Sequence, residues 1–349
     1  MAKESWYIKQ SELDDYQVRI IRRSLNSSFI VRGCAGSGKT VLALWRAKEL
    51  SEQGNHNYLV IVFTRALKQF IKDGITTIGV SQSKVMYHWE WVNKGCPSAD
   101  YIIVDEVQDF DSTELSQLQN AAKKNLILFG DSAQQLYKNI PNKGRLMTME
   151  EIAIQTRIPL ENLVINHRLP KKIARVAEKV SSTYDPLEDR CNKEGANKPR
   201  LIKCSGTSDQ YNYIMDVVKS QRYTDVGILF PTNEMVKDAK KYFDGKGWGV
   251  EAKIGYGANA MDLDFTTDNP KLMTYHSAKG LQFEAVFVPQ CSLSDEKDRN
   301  SLYVALTRSY RDLFILYSNS LSPFISKLST TLFEVHNESG SGSNSNLPF

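Results

Sequence analysis

Short, continuous apolar runs punctuate the chain. Phe29-Ile30-Val31 and residues 58–63, 101–104 and 126–129 fall in the first half; 201–203, 226–230, 272–275, 285–289 and 313–317 fall in the second. Runs this short, bounded by polar turns, read as strands buried on both faces, as in parallel sheets. Between them apolar residues recur at helical spacing over 11–25, 41–52, from 65 through 70, and over 170–184, 208–220, 233–243 and 299–309. Gly54 stands just past the end of the helix at 41–52, where a left-handed residue closes the last turn. Strand and helix alternate throughout. The pattern therefore predicts an α/β protein with parallel sheets.

A length of 349 residues allows about two domains, each with its own core. The 44 basic and 40 acidic residues leave a net charge of +4, so any polyanion groove has to be local. The cysteines Cys34, Cys96, Cys191, Cys204 and Cys291 are scattered without Cys-x-x-Cys spacing, which argues against zinc and fits a reducing cytoplasm. No apolar run approaches the roughly 18 residues of a membrane span, and no secretory leader is visible, so the expectation is a cytoplasmic protein without a membrane partner.

The chemistry begins at Gly33-Cys34-Ala35-Gly36-Ser37-Gly38-Lys39-Thr40, between an apolar strand and a helical run. That is a phosphate loop. The backbone of Gly33, Ala35, Gly36, Ser37 and Gly38 cradles phosphate oxygens, Lys39 reaches the β- and γ-phosphates, and Thr40 offers a hydroxyl to Mg²⁺. Gln17, on the helix just upstream, is either a solvated polar residue or a donor–acceptor pair for adenine. Asp105 and Glu106 follow the strand at 101–104; Asp105 is placed to hold Mg²⁺ and Glu106 to orient or deprotonate water. Gln134, beyond the strand at 126–129, is placed to touch the γ-phosphate and report it. Ligands of open α/β sheets bind at the carboxyl ends of strands, which puts Phe63, Thr64 and Arg65 on the functional edge. Tyr87, His88 and Trp89 are candidates to stack nucleic-acid bases, with core packing as the alternative; Trp91 reads as core.

In order, Gln17, the phosphate loop, Phe63-Thr64-Arg65, Asp105-Glu106-Val107-Gln108-Asp109 and Gly130-Asp131-Ser132-Ala133-Gln134-Gln135-Leu136-Tyr137 resemble the UvrD/Rep-type superfamily 1 helicases. The second half adds Asn166-His167-Arg168, the run Thr274-Tyr275-His276-Ser277-Ala278-Lys279-Gly280-Leu281-Gln282-Phe283, and Leu302-Tyr303-Val304-Ala305-Leu306-Thr307-Arg308. The resemblance implies two RecA-like domains, at 1–160 and 161–335, with ATP and Mg²⁺ in the cleft between them and a flexible tail at 336–349. It further implies that Arg168 and Arg308 reach the γ-phosphate, that His167, Gly280 and Gln282 meet the nucleotide, and that Tyr137 and His276 meet the strand. The activity implied is 3′-to-5′ movement along single-stranded DNA. The residues themselves do not separate DNA from RNA, nor a motor from a nucleotide-gated sensor or loading subunit.

Several features depart from that pattern. The spacing from Phe63 to Asp105 and from Arg168 to Thr274 leaves no room for the family's accessory domains, which points to a stripped-down motor acting with a separately encoded nuclease in DNA repair or antiphage defence. His167 stands where the family has a stacking tyrosine, Gln282 where it has a ribose-binding glutamate, and Asn139 where relatives often carry a base-stacking tryptophan. The final Leu347-Pro348-Phe349 resembles the docking tip of bacterial single-strand-binding proteins, without the acidic residues that precede that tip; a plain tail is the alternative.

Overall fold

A computed structural model describes residues 10–136, 144–183, 186–255 and 261–337. The first sheet contains β1 (Phe29–Gly33), β2 (Tyr58–Val62), β3 (Val85–Tyr87), β4 (Ala99–Val104), β5 (Ala122–Gly130) and β6 (Leu160–Leu163), in the order β3-β2-β4-β5-β1-β6. Every pairing is parallel. Parallel strands need crossovers, supplied here by α1 (Asp15–Ile21), α2 (Lys39–Glu52), α3 (Arg65–Ile78), α4 (His88–Asn93), α5 (Ser112–Ala121) and α6 (Met149–Thr156). With β5 between β1 and β4, the carboxyl ends of these three strands lie side by side. The phosphate loop, the acidic pair and residues 131–134 are thereby gathered at one edge.

The chain then forms a two-stranded parallel pair, β7 (Asn166–Pro170) and β8 (Cys191–Lys193), around α7 (Lys171–Val180). A second all-parallel sheet follows, built from β9 (Arg200–Lys203), β10 (Val226–Phe230), β11 (Glu251–Ala252), β12 (Lys271–Thr274), β13 (Phe283–Val288), β14 (Ser309–Tyr317) and β15 (Glu334–Asn337). Its order is β11-β12-β10-β13-β14-β9-β15, and its helices include α8 (Thr207–Gln221), α9 (Asn233–Gly245) and α10 (Arg299–Leu306).

The central strands of each sheet are buried on both faces, which is why they are apolar without alternation. One face of the first sheet packs Ile61, Ile102 and Val104 with Phe110, Leu115 and Met149. Its other face opens into a cluster that continues into the second unit, where Leu67, Phe70 and Ile71 of α3 share a core with Phe265, Tyr275 and Leu281. The far face of the second sheet packs Ile228, Phe230, Phe287 and Phe314 with α8 and α9.

The α/β class and all the expected strands are present. The helix expected over 11–25 is shorter, because the Asp14 side chain caps Gln17 N and starts α1 at Asp15. The expected boundary after residue 160 meets the first residue of β6, whose register runs from Ile30↔Leu160 to Gly33↔Leu163, so the first sheet extends through Leu163. Among the described residues no helix is long and apolar enough to cross a membrane.

Candidate functional site

The phosphate loop leaves β1 and curls through Gly36 (φ +79°) and Gly38 (φ +87°), conformations that favour glycine. Space restricts both positions as well. A Cβ on Gly36 would lie 2.3 Å from Asn166 Oδ1, and one on Gly38 would lie 2.7 Å from Gln17 Nε2. Lys39 Nζ donates to the carbonyls of Gly33 at 2.7 Å and Cys34 at 3.0 Å, which folds its ammonium over the loop. Gln17 Nε2 donates to Ser37 O at 3.1 Å, tying α1 to the loop.

Behind the loop, Thr40 Oγ1 donates to Asp105 Oδ2 at 2.5 Å, and Glu106 N donates to Asp105 Oδ1 at 3.0 Å. Burial, with the neighbouring Glu106 charge, pushes the Asp105 carboxyl up to about 7. Burial also pushes Glu106 upward, but Lys279, Lys39, the Gln108 amide and Arg308 outweigh it and hold that carboxyl below its ordinary value. Glu106 is the poised anion of the pair. Thr40 and Asp105 present only oxygen atoms, a donor set that suits Mg²⁺, which is commonly bound through one or two carboxylates together with substrate phosphates and water. The residues present therefore fit the ion.

The second unit closes the site. Arg308 is only 1% exposed; its Nη2 donates to Gln134 Oε1 at 2.7 Å, and its Nε to Val304 O at 2.9 Å. Arg168 Nη1 donates to Gln282 Oε1 at 3.2 Å, and its buried Nε has no hydrogen-bond partner among the described residues. Burial, reinforced by the Arg308 charge, lowers the Arg168 guanidinium to about 9. A cavity between the units brings together Gln17, Gly36, Gly38, Lys39, Thr40, Glu106 and Gln134 with His167, Arg168, Gly280, Gln282 and Arg308. Lys193 and Tyr310 line it too, and the sequence did not single them out. Gly33, Ala35, Ser37 and Asp105 stand immediately behind this wall, in the loop or bonded to it.

Residues 271–316 match the UvrD-like helicase C-terminal domain, and residues 12–181 match an AAA domain. A probable DNA helicase II homolog of Mycoplasma capricolum is 27% identical over 242 residues, covering 58% of this chain and 32% of the relative. A probable DNA helicase of Mycoplasma pneumoniae is 26% identical over 244 residues, covering 63% and 44%. This chain is similar to UvrD-like DNA helicases over parts of its length. The solved arterivirus nonstructural protein 10 helicase aligns with 91% of this chain and 64% of its own, at 14% identity and a TM-score of 0.46. Aligned regions cover between 28% and 44% of the curated relatives' lengths.

The aromatic residues expected on the strand-binding face divide. Phe63 stacks on His88 with centroids 5.3 Å apart and packs edge-on to Phe110 at 5.4 Å. His88 is fully buried, with Nε2 3.1 Å from Glu114 Oε1. Phe63 was expected at the functional edge, and His88 either to stack bases or to pack in the core; both belong to the core. The reason is register: β2 and β3 are neighbours with Val62↔Tyr87 paired, so the next residues, Phe63 and His88, meet each other. Trp89 remains 58% exposed, whereas Tyr87 is half-buried against the core. The Thr64 hydroxyl caps α3 by accepting from Leu67 N at 3.1 Å. His276 is half-buried; burial lowers its pKa and Lys279 adds to the effect, against Asp298. Tyr137, Asn139 and Leu347 to Phe349 lie outside the described residues.

Contacts across the units reach well beyond the cavity. Arg65 pairs with Asp262 at 2.7 Å, and Phe265 packs edge-on to Phe70 at 5.2 Å. Gly280 (φ +80°) is needed where the second unit approaches α3, because a Cβ there would lie 2.8 Å from Leu67 Cδ2. Lys279 is the functional candidate that sequence reasoning passed over. Its ammonium, from the second unit, is buried against Asp109, donates to Gln134 O at 2.5 Å and lies 3.7 Å from Glu106 Oε2. The available signal was its place beside Gly280 in a recognised motif, although nothing local identified its acceptors.

Proposed function

We propose that this chain hydrolyses ATP in the cleft and uses the resulting closure and opening to move along single-stranded DNA, 3′ to 5′. One observation carries the ATP reading: Lys39 from the first unit and Arg168 and Arg308 from the second converge on one cavity, and neither arginine has a carboxylate ion-pair partner among the described residues. Cations gathered on one cavity without a direct ion pair fit a polyphosphate. The division into a unit ending near Leu163 and a second from Asn166 belongs to the same reading.

The side chains have distinct tasks in it. Glu106 accepts the proton of the water that attacks the γ-phosphorus. Lys39, Arg168 and Arg308 neutralise the charge that develops as the bond to the ADP leaving group breaks. Bound at Thr40 and Asp105, Mg²⁺ would neutralise charge on the phosphate oxygens. Gln134, bonded to Arg308 and to Asp131, links the phosphate to the segment entering residue 137. Because the arginines and the phosphate loop sit on different units, turnover is tied to their approach. The exposed Trp89 and the DNA helicase relatives support nucleic acid as the track.

Motor action is tested by ATP turnover on strands of increasing length, with matched DNA and RNA. A length-dependent rate on DNA supports translocation. A rate independent of length supports the sensor or loading reading instead, and stronger stimulation by RNA reassigns the track. Glu106→Gln should lower turnover by about a hundredfold or more while nucleotide still binds. A rate close to that of the unaltered protein would remove Glu106 from its role. The short connections between β2 and β4 support action within a complex, with a separately encoded nuclease in repair or antiphage defence as the proposed setting.

A further inference from the structure

Asp14 lies immediately before α1 and is engaged on both of its carboxylate oxygens. Oδ1 accepts from Gln17 N at 2.7 Å, while Asp14 N donates to Gln17 Oε1 at 3.1 Å, a reciprocal capping box. Oδ2 meets His167 Nε2, on β7. The other imidazole nitrogen, Nδ1, is 3.1 Å from Asn192 Nδ2, on β8. A hydrogen-bonded chain thus runs from α1 of the first unit to β8 beyond it.

With the Asn192 amide oriented as assigned, its nitrogen donates to Nδ1, while Nε2 faces the acceptor-only Asp14 carboxylate. Both ring nitrogens bond in the ring plane. With both held, the imidazole is fixed in orientation and its faces are left for stacking. Gln17 is constrained in a complementary way: its oxygen already accepts from Asp14 N and its nitrogen already donates to Ser37 O. One lone pair and one N–H remain, matching the N6 donor and N7 acceptor of adenine. Gln17 and His167 both line the cavity.

We propose that Asp14 is the positioning residue for the nucleotide base, a single carboxylate that sets the edge reader Gln17 in one unit and the face platform His167 in the other. The proposal rests on the reading of the cleft as a nucleotide site. It adds that base selectivity is assembled across the units, so that adenine is read only where they meet.

Asp14→Asn separates these roles. Asparagine remains a good N-cap, but if its oxygen caps Gln17, its amide nitrogen opposes the Nε2 proton. Relief requires the ring tautomer and the Asn192 amide to turn together, and it gives up the charged acceptor that orients the ring. The full chain and the variant are titrated with fluorescent ADP and GDP analogues and with inorganic tripolyphosphate, and ATP turnover is followed alongside. The expected result is an adenine-over-guanine preference reduced about tenfold. Tripolyphosphate affinity should stay unchanged, KM for ATP should rise and kcat should hold. Asn192→Ala, at the other end of the chain, should shift the preference in the same direction. An unaltered preference in Asp14→Asn overturns the proposal, and so does an equal loss of tripolyphosphate affinity, which would mark a general structural defect. Unaltered protein that binds tripolyphosphate but neither nucleotide would overturn the nucleotide-site reading, and the proposal with it.

Discussion

Arg308→Ala should lower strand-stimulated ATP turnover by about a thousandfold or more, with ADP affinity nearly retained. The guanidinium is buried, enters from the second unit and is held by Val304 O, Thr307 Oγ1 and Gln134 Oε1. The protein itself thus fixes its orientation. ADP has no γ-phosphate, so its binding should be nearly indifferent to the change. Arg308→Lys should recover little, because an ammonium keeps the charge but loses the planar fork that meets Gln134 and a phosphoryl oxygen together. Burial lowers the pKa of Arg308, which means that its charge is disfavoured where it sits, so melting temperature should fall far less than activity. Steady-state turnover at saturating strand decides the matter; a loss smaller than about tenfold would contradict this placement.

The second large effect concerns stability. Lys279→Met should destabilise the folded chain by about 3–5 kcal/mol, because it strands Asp109 and Glu106 as buried carboxylates without their nearest cation. Burial already raises the pKa of Asp109 against the pull of Lys279. Removing the lysine leaves only the hydrogen bond from Leu136 N to oppose burial. Pairing the change with Asp109→Leu should recover a substantial part of the loss, since two apolar side chains replace an ion pair whose desolvation was costly. Urea denaturation of both single variants and the double variant measures the coupling. Strictly additive losses would mean that the two side chains do not depend on each other. Turnover should remain low even in the recovered double variant, because Gln134 O and Glu106 would still lack their cross-unit contact.

Much of this site was legible before any coordinates, for a physical reason. A phosphate loop, an acidic pair at a strand end and arginines in recognisable motifs are local, with backbone and side-chain requirements that fit within a few consecutive residues. Lys39, Thr40, Asp105, Glu106, Gln134, Arg168 and Arg308 accordingly lie at or just behind one cavity. The misplacements are non-local. Phe63 and His88 look alike as strand-end aromatics, and only the adjacency of β2 and β3 reveals that they bury each other. Lys279 has no local partner, since its acceptors arise from the preceding unit. Strands β6 and β15 carry polar residues at sheet edges, where hydrogen bonding and not apolar burial defines them, so hydrophobic patterning passed over both.

The backbone of Glu106 carries a further consequence. It is left-handed, at φ 61° and ψ 40°, without the freedom of glycine. For an L-residue this costs about 1–2 kcal/mol, and the neighbouring Asp105 carboxylate adds charge repulsion. Selection for thermal persistence alone would favour glycine or asparagine there. On the role proposed for it, Glu106 bears that cost for the sake of turnover, and a lineage released from the need to hydrolyse would be expected to drift toward a calmer residue at position 106 before it lost the fold.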